Sequence, residues 1–253
     1  MPLPASGTIT LAQIQTEFGG SNPIGINEYY RGGGLVPNTT ANINIPTSGT
    51  ISLSNFYGGT AFTPVTRTYT TGSGTDTVPT GATQVVIEVT AGGGGGSLGS
   101  ATNGGAGGGG GGYAIKTIAV TGGNTLSYAV GAAGALRTGS AGAGNPGSSS
   151  TVSGTVSGGS VSISSTGGGG GGGSGIGGAG GGASGGDTNT AGNPGENRDG
   201  TLSGNGGDSA LATGGVAPSG TGDVPGAGGA GGNLTNDIDS GAGGRGEIVL
   251  AYT

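Results

Sequence analysis

Several residue types on which much protein chemistry depends are missing from this chain. Its 253 residues include no cysteine, no histidine and no tryptophan. Disulfide scaffolds, zinc fingers, thiol nucleophiles and histidine-based catalytic triads are therefore excluded. The one lysine, Lys116, follows Ile115 rather than a glycine of a phosphate-binding loop, which excludes a Walker-type nucleotide site.

Charge and long apolar runs are also scarce. Charged residues make up 7% of the chain, with 6 basic residues against 12 acidic ones. No basic patch indicates nucleic-acid binding, and no apolar run approaches the roughly 18 residues of a membrane-spanning helix. We therefore expect a protein that is not an enzyme, uses no cofactor, holds no metal, binds no nucleic acid and does not insert into a membrane.

Glycine dominates the composition. The chain has 72 glycines and 11 prolines, a proportion that is typical of disordered segments. Disordered chains usually carry high net charge, however, and this one carries only −6. No strict Gly-X-Y repeat runs through the sequence, so collagen is excluded. Whether the glycines indicate disorder or an ordered structure therefore depends on their positions in the sequence.

Residues 1–60 contain an internal repeat and predict a small first domain with short helices. Residues 4–11 (PASGTITL) return as residues 46–53 (PTSGTISL), and a partial third copy covers residues 24–32. Thr10 and Gln13 have the spacing of a capping box, and Gly19 is a suitable helix end. The apolar residues between them recur at the spacing of one helix face.

Aromatic residues are concentrated in this first domain, which leaves two interpretations open. The domain is either a small helical cap on the rest of the chain or a docking module that contacts a partner protein. The aromatic candidates for docking are Phe18, Tyr29, Tyr30, Phe56 and Tyr57.

Residues 61–253 predict a second, mainly β domain. Runs of β-forming residues bounded by turns favour an antiparallel β-sandwich. The predicted strands are Val65–Thr70, Gln84–Thr90, Tyr113–Val120, Thr125–Val130, Val161–Ser165 and Glu247–Tyr252. The last of these lies far along the chain and must return to the same sheet to bury Ile248 and Leu250.

Residues 166–246 cannot be folded by the hydrophobic effect. They contain no aromatic residue and only seven large aliphatic ones, too few to offset an ordering cost of about 1–2 kcal/mol per residue. Glycine runs can instead form extended threefold helices, which pack closely and bond to one another through their peptide groups. We therefore expect a bundle of polyglycine II rods inserted into the sandwich, with a flexible linker as the alternative.

Two parts of the sequence resemble bacteriophage proteins. Residues 75–96 (TDTVPTGATQVVIEVTAGGGGG), 107–120 (GGGGGGYAIKTIAV), 121–135 (TGGNTLSYAVGAAGA) and 243–253 (GGRGEIVLAYT) resemble the glycine-rich domain of phage tail proteins. Residues 11–33 and 46–59 are similar to an N-terminal module of phage virion proteins. The resemblance implies a tip adhesin in the style of T-even-type long tail fibres, in which the N-terminal part docks on the fibre and loops at the rod ends contact the host receptor.

Acidic residues are concentrated between positions 187 and 239, where seven acids and one arginine equal the net charge of the whole chain. Three interpretations remain open: solvated turns, a receptor-contacting edge, or Ca²⁺ ligands without any recognisable repeat. Residues 187–201 (DTNTAGNPGENRDGT) form the most polar candidate loop. The candidate receptor-binding residues are Asn189, Asn193, Glu196, Asn197, Arg198, Asp199, Asp237 and Asp239.

These observations predict a tail fibre or spike tip protein located in the virion tail. Its expected partners are other phage tail or fibre proteins and a host cell-surface glycan or outer-membrane protein. The alternatives are a purely structural virion protein, such as a fibre segment or decoration protein, and a secreted glycine-rich matrix protein.

Overall fold

The computed structural model describes residues 2–234 and 238–253. Helix α1 spans Leu11–Phe18 and begins with the predicted capping box, in which the Gln13 N–H donates to Thr10 Oγ1 and the Thr10 N–H donates to the Gln13 side chain. Three short 3₁₀ turns lie after it at Ile26–Glu28, Thr40–Asn42 and Leu53–Phe56. Together they enclose a small hydrophobic core of their own.

Ten strands lie after α1 and its turns. They are β1 (Val65–Tyr69), β2 (Ser73–Thr77), β3 (Gln84–Thr90), β4 (Tyr113–Ala119), β5 (Thr125–Ala129), β6 (Ser150–Val156), β7 (Gly159–Ser165), β8 (Ala183–Ser184), β9 (Thr188–Thr190) and β10 (Glu247–Tyr252). One antiparallel sheet has the order β1-β10-β3-β4-β9 and the other β2-β5-β6-β7-β8. The predicted mainly β sandwich with a small helical N-terminus is confirmed, and the last strand does return to the first sheet beside β3.

Four of the observed strands, β2, β6, β8 and β9, are not predicted from the sequence, and each omission has a physical reason. The β2 segment (SGTDT) is polar and resembles a turn, and β6 alternates only small and β-branched residues around Gly154. Strands β8 and β9 have two and three residues, which is too few to show an alternating pattern of apolar and polar side chains. These four segments are extended because each pairs with a neighbouring strand, not because of a local sequence pattern.

The two sheets enclose an apolar core. Strand β3 buries every second side chain, Val85, Ile87 and Val89, as its alternating sequence predicts. Its neighbour β10 contributes Ile248 and Leu250 to the same core. The second sheet closes the core with side chains that include Leu126, Val152 and Ile163.

Twelve extended segments can be traced in the described residues outside the two sheets, and we call them rods 1 to 12. In chain order they span residues 91–99, 104–112, 131–137, 142–149, 166–173, 177–182, 191–199, 203–208, 214–216, 220–222, 226–232 and 239–246. Rods 1, 3, 5, 7, 9 and 11 run away from the strands, and the even-numbered rods return. The glycine-rich insert is therefore ordered as a bundle.

The rods bond to one another with a period of three residues, as threefold helices do. In rod 1, Gly93 and Gly96 donate to rod 12, Gly94 and Ser97 to rod 2, and Gly95 and Leu98 to rod 4. These N–H to O distances lie between 2.8 and 3.0 Å. Each three-residue turn of the rod's helix therefore donates hydrogen bonds to three different neighbouring rods.

The rods pack hexagonally around three interior ones. In rod 2, Gly107, Gly108 and Gly109 donate to rods 7, 11 and 5, while their carbonyls accept from rods 6, 8 and 1. Donor and acceptor neighbours alternate around the rod. Rods 1 and 11 likewise have six neighbours each, and residues 91–99, 104–112 and 226–232 are buried throughout. The core of this bundle consists of peptide groups.

The N-terminal module, residues 2–60, and the rods lie at opposite ends of the sandwich. Strand β3 leads into rod 1 after Thr90, which pairs with Glu247 at the end of rod 12. At the other end of β3, the Thr83 N–H donates to the Thr253 carbonyl. A cavity of about 380 Å³ at that end is lined by residues of the module and of the sandwich, Pro2, Thr40, Ala41, Gly58, Thr60, Phe62, Pro64, Gly81, Thr83 and Thr253.

Candidate functional site

The end of the bundle farthest from the strands collects the turns between successive rods. We call this surface the far end, and its turns are residues 100–103, 138–141, 174–176, 199–202, 217–219 and the described part of 233–238. Three aliphatic side chains project there, with exposed fractions of 64% for Ile176, 68% for Leu202 and 73% for Val216. Turns that present apolar side chains to solvent can bind another molecule.

Side-chain amides hold part of the far end in a fixed arrangement. The Asn233 Nδ2 donates to the Thr201 carbonyl at 3.0 Å, and Asn205 Oδ1 accepts from the Ala217 N–H at 2.8 Å. These bonds frame a cavity of about 320 Å³. Its lining mixes hydroxyl, amide and aliphatic groups, namely Thr201, Leu202, Ser203, Asn205, Ala217, Pro218, Asn233 and Ile238.

The predicted polar loop 187–201 is not one loop, and this prediction was wrong. Its first residues belong to the sandwich, where Asp187 accepts from the Lys116 ammonium at 3.1 Å and from the Thr117 N–H at 2.8 Å. The Thr117 bond, and then Lys116, hold the pKa of Asp187 below its usual value. Asn189 lies in β9 and exchanges hydrogen bonds with Gly186. Pairing of β9 with β4 thus draws Asn189 away from the far end.

Asn193 and Glu196 lie along rod 7, one turn of the threefold helix apart. They line a shallow groove of about 330 Å³ on the side of the bundle, together with Asn205, Asp208 and backbone of rods 8 and 9. The Glu196 carboxylate accepts from the Asn205 N–H at 3.2 Å. These two candidates therefore share a surface, but it is the flank of a rod.

The remaining described candidates lie toward the far end. Asn197 Oδ1 accepts from the Gly177 N–H at 2.8 Å, and the Arg198 side chain lies against Gly175. Asp199 begins the turn between rods 7 and 8, where its backbone pairs with Leu202. Asp239 is exposed at the start of rod 12. Asp237 lies outside the described residues.

Arg137 has a local structural role at the far end. Its Nε donates to the Ser140 carbonyl at 3.1 Å, and its Nη1 approaches the Ala143 carbonyl at 3.4 Å. The guanidinium therefore closes the turn between rods 3 and 4. Its backbone N–H donates to Ser240 Oγ at 2.7 Å, which ties rod 3 to rod 12.

The aromatic docking candidates of the N-terminal module mostly face its interior, which corrects the docking prediction. Phe18, Tyr29 and Phe56 are buried, and their ring centroids lie 6.1 to 6.4 Å apart. Tyr30 and Tyr57 are half-buried and donate their hydroxyls to the carbonyls of Gly49 and Gly7. A core this small depends on its few aromatic side chains for stability.

A buried carboxylate, which sequence reasoning missed, ties the two sheets together. Asp76 of β2 accepts from Arg67 at 2.5 Å, from the Tyr252 hydroxyl at 2.9 Å and from the Tyr69 hydroxyl. Burial first, then the bond to Asp76, raises the pKa of Tyr69 to about 12 and also raises that of Tyr252. Asp76 lies in a polar strand whose sequence resembles a turn, so no sequence pattern identified it as a buried carboxylate.

Two further findings concern metal ligands and membrane-spanning helices. Within residues 2–234 and 238–253, no group of three or more acidic side chains is placed to hold a metal ion. Among the same residues, no helix is long and apolar enough to cross a membrane.

The fold and the far end define a β-sandwich protein whose insert is a bundle of glycine rods. The chain belongs to the family described as "Glycine-rich domain", whose model matches residues 67–253. The match begins at Arg67, within β1, and covers the rest of the sandwich and all twelve rods. No match to the chain was found among curated proteins.

Proposed function

We propose that this chain is a bacteriophage tail fibre or spike tip protein, in which the N-terminal module docks on the virion tail and the far end contacts a receptor on the host surface. The observation that carries the proposal is the separation of these two parts at opposite ends of the sandwich and its rods. The module meets the strand ends at Thr83 and Thr253, whereas the far-end turns lie beyond the rods, the longest of which span nine residues. An attachment protein requires such a separation.

The chemistry of the far end suits contact with a macromolecule. Exposed aliphatic side chains lie at the far end, and one of them, Leu202, lines a cavity beside hydroxyl and amide groups that the rod ends hold in place. The described far-end turns contain no aromatic ring, so they cannot stack on a sugar. The host partner, a cell-surface glycan or an outer-membrane protein, would be recognised by aliphatic contact and hydrogen bonding.

Competition with phage adsorption tests this proposal. Purified protein is added to the host of the phage that encodes it, and the adsorption rate of that phage is measured. Leu202→Glu and Ile176→Glu place a charge on the far end, and we expect both variants to lose most of the competition. Leu211→Glu is the matched control, since Leu211 is 51% exposed but lies in the turn on the strand side of the bundle.

A structural virion protein without a receptor role is the alternative. It predicts that antibody against the chain labels the tail while the purified protein leaves adsorption unchanged. Equal loss of competition by Leu202→Glu and Leu211→Glu would also count against a far-end receptor site. Absence of the chain from purified virions would contradict both functions.

A further inference from the structure

Rod 5, residues 166–173, has four rod neighbours, whereas the interior rods have six. It donates to rod 1 through Gly168 at 2.9 Å and to rod 6 through Gly169 at 2.7 Å. It accepts from rod 4 at the Gly168 carbonyl and from rod 2 at the Gly169 carbonyl. The four neighbours occupy adjacent positions in the order 4, 1, 2, 6. Two adjacent positions of the hexagon remain without a rod among the described residues.

Every third peptide group of rod 5 faces these two positions. Gly167, Gly170 and Gly173 make no hydrogen bond, by N–H or by C=O, to any described residue. The first two are half-exposed and the third is exposed. Because they are three residues apart in a threefold helix, they lie on one face. We call Gly167, Gly170 and Gly173 the open face.

The two vacant positions have opposite hydrogen-bonding character. Around an interior rod, neighbours that accept alternate with neighbours that donate. Rods 1 and 6 accept from rod 5, and rods 4 and 2 donate to it, so the alternation is kept. The N–H groups of the open face therefore point to the vacancy beside rod 4, and the C=O groups to the vacancy beside rod 6.

At six other positions of the bundle, a side chain accepts from an N–H group that donates to no neighbouring rod. The side-chain acceptors are Asn197 for Gly177, Glu196 for Asn205, Asn205 for Ala217, Asp208 for Gly214, Ser240 for Arg137 and Thr166 for Gly182. No side chain of the described residues does so for the open face. It is the counterpart of an uncapped edge strand, which is a template for adding another chain.

We propose that the open face binds an extended threefold-helical segment, rich in glycine and proline, of a partner polypeptide. Such a helix presents its peptide groups every third residue, about 9.3 Å apart, which is the spacing of the open face. A β-strand, with a repeat of about 6.6 Å, matches this row at few points. Glycine gives the partner a face without Cβ atoms, and proline fixes the extended conformation before binding.

A second copy of this chain fits the open face less well. A two-fold dimer brings the same surface of both copies together. Rod 5 against its own copy would therefore set N–H row against N–H row, or C=O row against C=O row. A partner segment is free of this restriction.

Titration with a synthetic peptide tests the proposal. The probe consists of Gly-Asn-Pro repeats, the sequence that rods 4 and 7 use at residues 144–146 and 192–194. The full chain is labelled with ¹⁵N, and amide shifts and hydrogen exchange are monitored by NMR. We expect shift changes confined to the open face and its flanks, with exchange at Gly167, Gly170 and Gly173 roughly tenfold slower at a peptide concentration ten times its Kd.

Matched variants locate the binding. Ala179→Arg adds a long side chain on the exposed surface of rod 6 beside the open face, and we expect it to abolish the shifts. Ala135→Arg, on the exposed surface of rod 3, should leave them unchanged. If Ala179→Arg lowers the melting temperature, Gly182→Arg replaces it, because a Cβ at Gly182 meets only Thr166 Oγ1 at 3.8 Å.

Three results would overturn the proposal. The first is no shift up to the solubility limit of the peptide. The second is a set of shifts spread evenly over the outer rods or unaffected by both rod 6 variants. The third is slow exchange at the open face that depends on protein concentration without peptide, which would assign the face to a second copy of the chain.

Discussion

Ser97 supplies the hydrogen bond that Ala106 cannot obtain from another peptide group. The Ala106 N–H donates to Ser97 Oγ at 2.7 Å, and the Ser97 N–H donates back to the Ala106 carbonyl at 2.9 Å. Ala106 stands three residues before Gly109, whose N–H donates to rod 5. Ser97 of rod 1 and Ala106 of rod 2 are both buried where the two rods meet. A side chain thus replaces a peptide partner in the interior of the bundle.

Replacing Ser97 by alanine tests this pairing. The change leaves the buried Ala106 N–H without an acceptor, which costs about 1–3 kcal/mol of unfolding free energy. Chemical denaturation of the purified variant measures the loss. Ser149→Ala, at an exposed position in rod 4, is the control and should change the unfolding free energy little. An equal effect of the two substitutions would contradict the role of Ser97.

The interior rods should not tolerate even a methyl group. A Cβ at Gly96 would lie 1.9 Å from the Ala230 carbonyl oxygen, so Gly96→Ala forces rods 1 and 11 apart. We expect a loss of about 1–3 kcal/mol or more in denaturation experiments. Gly182→Ala is the matched control, because its added Cβ meets only Thr166 Oγ1 at 3.8 Å. Equal stability of both variants would mean that rods 1 and 11 are not in contact.

The N-terminal module should lose its fold when its central ring is removed. Phe56 is fully buried against Phe18 and Tyr29, so Phe56→Ala should cost about 3–5 kcal/mol within the module. Limited proteolysis should then cleave residues 2–60 while the sandwich stays intact. Tyr30→Phe, which removes one hydroxyl, serves as the control. Resistance of Phe56→Ala to proteolysis would contradict the role of Phe56 in the core of the module.

Partly buried tyrosines should make the sandwich sensitive to high pH. Burial and Glu88 raise the pKa of Tyr113 to about 12, and burial and Asp76 do the same for Tyr69, from an ordinary value of 10.0. A raised folded-state pKa gives stability that is complete below pH 10 and is lost as the pH rises toward 12. Denaturation between pH 8 and 12, with absorbance at 295 nm, measures both events. Tyr69→Phe should remove part of the loss, and constant stability up to pH 12 would contradict the assignment.

Local sequence signals predict much of the fold. The spacing of Thr10 and Gln13 identifies the start of α1, and alternation identifies β3 and β10 with their observed bounds. A count of apolar residues predicts that residues 166–246 cannot fold by burial, and their glycine runs then favour rods over a flexible linker. The helix and strand signals are carried by side chains close together in the chain.

The arrangement of the rods and the far end is not predictable in the same way. Glycine has no side chain to encode which rod lies beside which, so the six neighbours of rod 2 depend on the whole bundle. One signal does exist in the sequence: Gly131 and Gly134, and likewise Gly192 and Gly195, stand three residues apart on the inward faces of outer rods. It shows that residues 187–201 are mainly a rod, which is why Asn193 and Glu196 lie on a flank.

Amide hydrogen exchange of the interior rods tests the backbone-built core most directly. In residues 91–99, 104–112 and 226–232 nearly every N–H has a peptide acceptor in another rod. We predict that these amides exchange as slowly as those of β3 and β10, opening only when the whole domain unfolds. The open-face amides Gly167, Gly170 and Gly173 should exchange fast in the same experiment. Fast exchange throughout the three interior rods, beside protected strands, would contradict the bundle.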